Sequence, residues 1–159
     1  MTDDAQQFLA TVGIFSDLES DELALIAELA EEAIWEAGDE AYVVGDEGSS
    51  MIVVREGLIE LYGVAGGVDK HFMTVRPGNA FGLLALIDPG HRPAAARVVE
   101  QTTGLRFEGA KLDGLVEAHP ATGIKLFRAL LEVLGERGTK AGPGNCAGYP
   151  RSMSPPPIA

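Results

Sequence analysis

Hydrophobic positions at the start of the chain recur at helical spacing. Phe8, Leu9 and Val12 form a short apolar stripe over residues 4–12. A second helix is predicted from Ser20, with Leu23, Ile26, Ala27 and Ala30 on one face and Glu28, Glu31 and Glu32 toward water. Ser20 is the expected N-cap. Leu23 stands where a Glu would complete a capping box, so none is expected.

The period then falls from 3.6 to 2. Segments 33–36, 41–44, 51–55, 58–64, 70–75, 95–101 and 103–107 are short and rich in Val, Ile, Tyr or Phe. Turn residues separate them: Ala37-Gly38-Asp39, Gly45-Asp46-Glu47-Gly48, Glu56-Gly57, Ala65-Gly66-Gly67 and Arg76-Pro77-Gly78. Several short strands at regular spacing predict an all-β sandwich or barrel, with a hairpin at Gly66-Gly67. Near-adjacent strands without crossover helices predict antiparallel pairing. The apolar stretch from Phe81 to Ile87, closed by Asp88-Pro89-Gly90, reads as a buried helical turn between two strands.

Helical spacing returns over 109–118 and again over 120–137, where Pro120 suits the first turn. Ile124, Phe127, Leu130, Leu131 and Leu134 form a wide apolar stripe. Such a stripe either closes over the strands or pairs with a copy of itself. From Gly138 to Ala159 four glycines and five of the nine prolines replace periodic pattern, which predicts a disordered tail. Cys146 in that tail reads as an exposed thiol, and Ser154-Pro155-Pro156-Pro157 as either a polyproline ligand or a plain flexible end. The expected organisation is one domain over 1–137 and a Gly/Pro-rich tail over 138–159.

Charge changes the picture of partners. The chain of 159 residues carries 12 Lys plus Arg against 24 Asp plus Glu, a net charge of −12. Phosphate backbones repel such a protein, so nucleic acid is not an expected partner. Residues 1–54 hold 14 of the acids and no Lys or Arg. That region is either a solvated face or a surface for a basic partner. No apolar run approaches the ~18 residues of a membrane span, and no basic segment opens a signal peptide. A single cysteine rules out an internal disulfide framework. The expected location is cytoplasmic, away from membranes.

Enzyme and metal signatures are sparse. His71, His91 and His119 have no partner at metal-ligand spacing, and no phosphate-cradling Gly-Lys-Ser/Thr loop or nucleophile elbow is present. Neither a metal site nor catalytic residues are predicted. The strongest site candidate runs from Gly78 to Ala96. Gly82 would open a short helix whose free N–H groups over 82–85 share one space. A helix N-terminus carries about half an elementary charge and attracts anions. Arg92 is the charge in an otherwise apolar loop, Pro93-Ala94-Ala95-Ala96. Its planar fork suits a phosphate; the alternatives are a plain surface arginine or a pair with Asp88.

Several stretches, in order, resemble a cyclic nucleotide-binding domain, the regulatory module of catabolite-activator-type regulators, kinase regulatory subunits and gated channels. Phe15-Ser16-Asp17-Leu18-Glu19-Ser20-Asp21-Glu22-Leu23 resembles that family's entry helices, and Glu36-Ala37-Gly38-Asp39-Glu40 its first turn. Residues 45–54 resemble its Gly-Asp turn and following strand. Residues 75–82, from Val75 to Gly82, lead into its phosphate-binding cassette. The likeness covers roughly residues 8–137. It implies a mostly β fold: an antiparallel, jelly-roll-like β-roll with N-terminal helices and C-terminal helices acting as lid or dimer face. It also implies cAMP or cGMP as the ligand class. By position, Gly82, Leu83, Leu84 and Ala85 take the cassette places, Arg92 the phosphate arginine, Pro93 the place after it, and Ala94 a small residue whose N–H faces the ligand.

Three replacements depart from the family pattern. Leu83 stands for the Glu that holds the ribose, Pro93 for a Ser or Thr, and Ala95 for a common Thr. A hydrogen bond to a charged group contributes roughly 1.5–3 kcal/mol, about ten- to a hundredfold in affinity. Losing two such contacts predicts weakened or lost nucleotide binding, or a pocket collapsed around Leu83. The expected function is therefore a non-catalytic regulatory or sensor module. The alternative is a protein-interaction or scaffold module using the acidic N-terminal face or the 120–137 helix, including self-association through it. A third reading, a transcription regulator lacking its DNA-binding domain, is disfavoured because a Gly/Pro-rich stretch of about twenty residues cannot form a helix-turn-helix.

Overall fold

The computed structural model describes residues 2–43, 47–65, 68–83, 90–91 and 94–140. Two helices open the chain, α1 (Thr2–Leu9) and α2 (Ser20–Leu29), with a 3-10 turn at Gly13–Phe15 between them. Among the described residues eight strands follow: β1 (Glu31–Trp35), β2 (Glu40–Tyr42), β3 (Glu47–Gly48), β4 (Ser50–Ala65), β5 (Val68–Val75), β6 (Ala80–Phe81), β7 (Gly90–His91) and β8 (Ala95–Glu108). Helices α3 (Gly109–Ala118) and α4 (Pro120–Lys140) close the order.

All strand pairs are antiparallel. The main sheet runs β1-β8-β4-β5, with β2 added on β8 and β6 on β4, and β3 and β7 pair separately. Among the described residues this path has two ends, so the expected barrel is an open, rolled sheet. The hairpin expected at Gly66-Gly67 is framed as predicted, with Ala65 opposite Val68; those two glycines lie outside the described residues.

The segments 51–55 and 58–64 are one strand, not two. Gly57, expected as a turn, is a bulge inside β4 with φ +105°. A Cβ there would lie 2.3 Å from Thr102 Oγ1 and 2.5 Å from the Gln101 carbonyl, so only glycine fits this backbone. Across the bulge, buried Thr102 accepts from Leu58 N–H at 3.1 Å and donates to the Glu100 carbonyl at 2.8 Å. The segments 95–101 and 103–107 likewise fuse into β8.

Alternation along β4 builds two cores on its two faces. Met51 and Val53 point to the helices and join Leu105, Phe107, Ala80 and the buried faces of α1, α2, α3 and α4. Ile52 and Val54 point the other way, into the roll, with Ile59, Leu61, Val75, Phe81, Ala96 and Val98. Half-buried Trp35, Ala41, Tyr42, Phe72 and Met73 line that interior.

Helix ends differ from expectation at α2 and at α4. Glu19, not Ser20, caps α2, and Glu22 is its third residue. The two glutamates form a capping box, with Glu19 N–H donating to Glu22 Oε1 at 3.0 Å. Shifting the cap by one residue puts Glu where the box needs it. On α4 the buried face is Thr122, Leu126, Ala129 and Leu130, while Ile124 and Leu131, placed in the expected stripe, are 60% and 59% exposed. Helix α4 also runs to Lys140, three residues past the boundary expected from composition. Cys146 and residues 141–159 lie outside the described residues. No described helix is long and apolar enough to cross a membrane.

Candidate functional site

The cassette leaves the sheet at β6. Ala80 and Phe81 pair with Val53 and Ile52, and Gly82 turns the chain away with φ +78°, in the left-handed region that favours glycine. The far side of the segment returns at Ala94, which is buried and precedes β8, where Ala95 pairs with Tyr62 and Ala96 with Leu61. Phe81, just before Gly82, and Ala96, just after Ala94 and Ala95, meet in the roll interior. Phe81 and Ala96, which flank the expected cassette, therefore share one apolar cluster, and the Phe81 ring lies 5.9 Å from that of Tyr42. Strand β7 pairs His91 with Glu47 and Gly90 with Gly48. Leu84, Ala85, Arg92 and Pro93 themselves lie outside the described residues.

Leu83 goes elsewhere. It is 2% exposed and belongs to the helix-side core, with Leu126, Ala129 and Leu130 of α4 and the buried residues of α1 and α2. The Leu83 side chain is thus turned under the helices. It does not fill the roll interior, and a pocket collapsed around Leu83 is not what the fold builds.

Just past Ala94, the outer face of the sheet carries a polar group that sequence reading missed. The Arg97 guanidinium lies 4.6 Å over the Tyr62 ring, and its Nε is 3.9 Å from Glu40 Oε1. Tyr62 donates its phenol proton to Glu60 and meets the His71 ring edge-on at 5.4 Å. The register signals this cluster, since Arg97 stands opposite both Glu40 and Glu60. Opposite charges facing across strands attract.

A second missed group joins the two ends of the chain. Glu22 Oε2 accepts from Thr122 Oγ1 at 2.6 Å, and Oε1 accepts from Lys125 Nζ at 2.7 Å as well as from Glu19 N–H. These three donors, the backbone N–H foremost, hold the Glu22 carboxyl at about 2, well below its ordinary 4.5. The hydrogen bond to Glu22 raises the Lys125 ammonium in turn.

An antiparallel roll with an apolar interior and helices packed on its back is the architecture expected of a cyclic nucleotide-binding domain. Residues 32–119 match the family described as Cyclic nucleotide-binding domain, and the chain belongs to it. Among relatives, it is 29% identical over 124 residues to the Cyclic AMP receptor protein of Thermus thermophilus, covering 77% of this chain and 57% of that protein. It is 35% identical over 98 residues to the cAMP-dependent protein kinase regulatory subunit of Dictyostelium discoideum, covering 61% and 29%. The chain thus spans only part of these relatives. Among solved structures, the N-terminal domain of a transcriptional regulator from Streptomyces coelicolor A3(2) superposes with a TM-score of 0.72 at 25% identity, covering 83% of this chain and 95% of that one.

Proposed function

We propose that the chain is a non-catalytic regulatory module that senses an anion of the cyclic nucleotide class weakly, through the cassette between Gly82 and Ala94, and passes the signal to α4. The observation that carries this reading is the split placement of consecutive residues: Phe81 in the roll interior, Leu83 in the core shared with α4. A ligand that displaces the start of the cassette moves both cores. The phosphate would rest on Arg92 and on backbone N–H groups of Gly82, Leu84, Ala85 and Ala94. With Leu83 buried under the helices and Pro93 lacking N–H and hydroxyl, the ribose and phosphate each lose a partner. Affinity for cAMP or cGMP should then fall from about micromolar toward about millimolar.

Calorimetric titration of the full chain with cAMP and cGMP, beside Arg92→Ala, tests this. Weak binding abolished in the variant supports the sensor reading, and no heat at millimolar nucleotide overturns it. A second reading, binding of protein or of a second copy, is favoured by Ile124 and Leu131, which stand seven residues apart on the exposed side of α4. Sedimentation of the full chain against Leu131→Glu distinguishes it.

A further inference from the structure

Helices α1 and α2 enclose an open groove of about 310 Å³, lined by Asp3, Gln6, Gln7, Ala10, Ser20 and Leu23. The four α1 residues are spaced by three, one and three, so they share one face of that helix. Ala5 and Leu9, on the other face, are buried in the helix-side core. Helix α1 thus gives one face to the fold and leaves one to the groove. Ala10 and Leu23 supply an apolar wall. Gln6 Nε2 donates to the Ser20 carbonyl at 2.8 Å, which fixes this amide between the two helices. Among the described residues no donor meets the Gln6 carbonyl oxygen.

The charge around the groove has one sign. Asp3 is exposed and has no cationic partner among the described residues, whereas Asp4, Glu22 and Glu31 are matched by Arg55, Lys125 and Lys111. Asp17, Glu19 and Asp21, all exposed, lie within three residues of Ser20 in the chain. Residues 2–30 contain no Lys or Arg. Lys125 feels Glu19 and Asp21, but its ammonium is already bound to Glu22. A Lys or Arg side chain has an apolar stem and a cationic head. Its stem suits Ala10 and Leu23, and its head suits Asp3 and the Gln6 carbonyl oxygen. An acidic segment would be repelled.

We propose that the α1–α2 groove docks a basic segment of a partner protein, one that presents Lys or Arg beside an apolar side chain. The groove belongs to the helical layer, so this docking is independent of what the cassette holds.

The test is a titration of the full chain, followed by its amide NMR shifts, with a short helical peptide of Ala, Leu and Arg, acetylated and amidated. A counterpart with Glu in place of Arg is the control. The arginine peptide should move the amides of Gln6, Gln7, Ala10, Ser20 and Leu23, and the glutamate peptide should not. Ala10→Arg, at an exposed position, places the chain's own guanidinium in the groove and should weaken binding about tenfold. Glu100→Gln, exposed on β8, makes the same change in net charge outside the groove and should alter binding less than about twofold. Equal weakening in the two variants would reduce the effect to net charge and overturn the proposal. So would an absence of shifts, or shifts centred on Ile124 and Leu131 of α4.

Discussion

The two faces of β4 bury two different kinds of core. The helix-side core draws on α1, α2, α3, α4 and the sheet, and it includes fully buried Phe15, Phe107, Leu112, Leu126 and Leu130. Among the described residues the roll interior has eight buried residues and a rim of half-buried Trp35, Tyr42, Phe72 and Met73. The first is sealed on every side by elements distant in sequence. The second is built on one curled sheet, and its Phe81 and Ala96 flank the expected cassette. The difference is one of partners, since the first core ties the helices to the sheet and the second closes the sheet on itself.

The contrast is most severely tested by paired truncations. Phe107→Ala, in the sealed core and 6.1 Å from the Phe15 ring, should cost about 3–5 kcal/mol in urea unfolding. Met73→Ala, at the rim of the roll, should cost less than half as much; equal losses would abolish the distinction. Gly57→Ala comes next. The positive φ and the backbone clash with Gln101 and Thr102 should together cost about 2–3 kcal/mol. A variant as stable as the parent would show that the bulge does not set the β4–β8 register. Thr102→Val should cost about 1–3 kcal/mol, since Leu58 N–H is left without its side-chain acceptor. The smallest effect concerns acid. The Glu22 carboxyl lies lower folded than unfolded, so its contribution is complete above pH 4.5 and is lost as pH falls through about 2. Glu22→Gln should flatten the acid limb of a stability–pH curve over that window, whereas an unaltered slope would assign it to other carboxylates.

Much of this architecture can be read from residue order. The change of period at residue 33, the antiparallel pairing of β4 with β5 and the terminal helices over 109–118 and from 120 follow from alternation and breakers alone. What misleads is a glycine whose role depends on its partner strand. Gly57 looks like a turn because only Thr102, far along the chain, reveals the bulge. The stripe on α4 misleads for a related reason. Leu131 and Ile124 are as apolar as Leu126, and only the positions of α3 and the 3-10 turn beneath decide which of them is buried. The cap of α2 slips by one residue because glutamate can do at Glu19 what serine was expected to do at Ser20. Within the site, the order of Phe81, Gly82 and Leu83 is plain in the sequence. Nothing local tells that Phe81 and Leu83 enter different cores; that follows from β6 pairing with Ile52 and Val53. Arg97 and its partners, and Glu22 with Thr122 and Lys125, are contacts between remote segments and leave no local trace.

The long ladder between β4 and β8 has a consequence for how the protein can vary. Their pairing runs from Ser50 opposite Glu108 to Tyr62 opposite Ala95, so everything from residue 63 to residue 94, the cassette included, is a loop closed by that ladder. The entropy of closing such a loop grows slowly, about 0.6 kcal/mol for a doubling of its length. Apart from buried Leu83 and the paired Gly90 and His91, changes of length between Gly82 and Ala94 therefore carry little entropic penalty for the frame. By the same logic the ladder must form across a large separation, so folding should be slow for a chain of this size and limited by the meeting of β4 with β8.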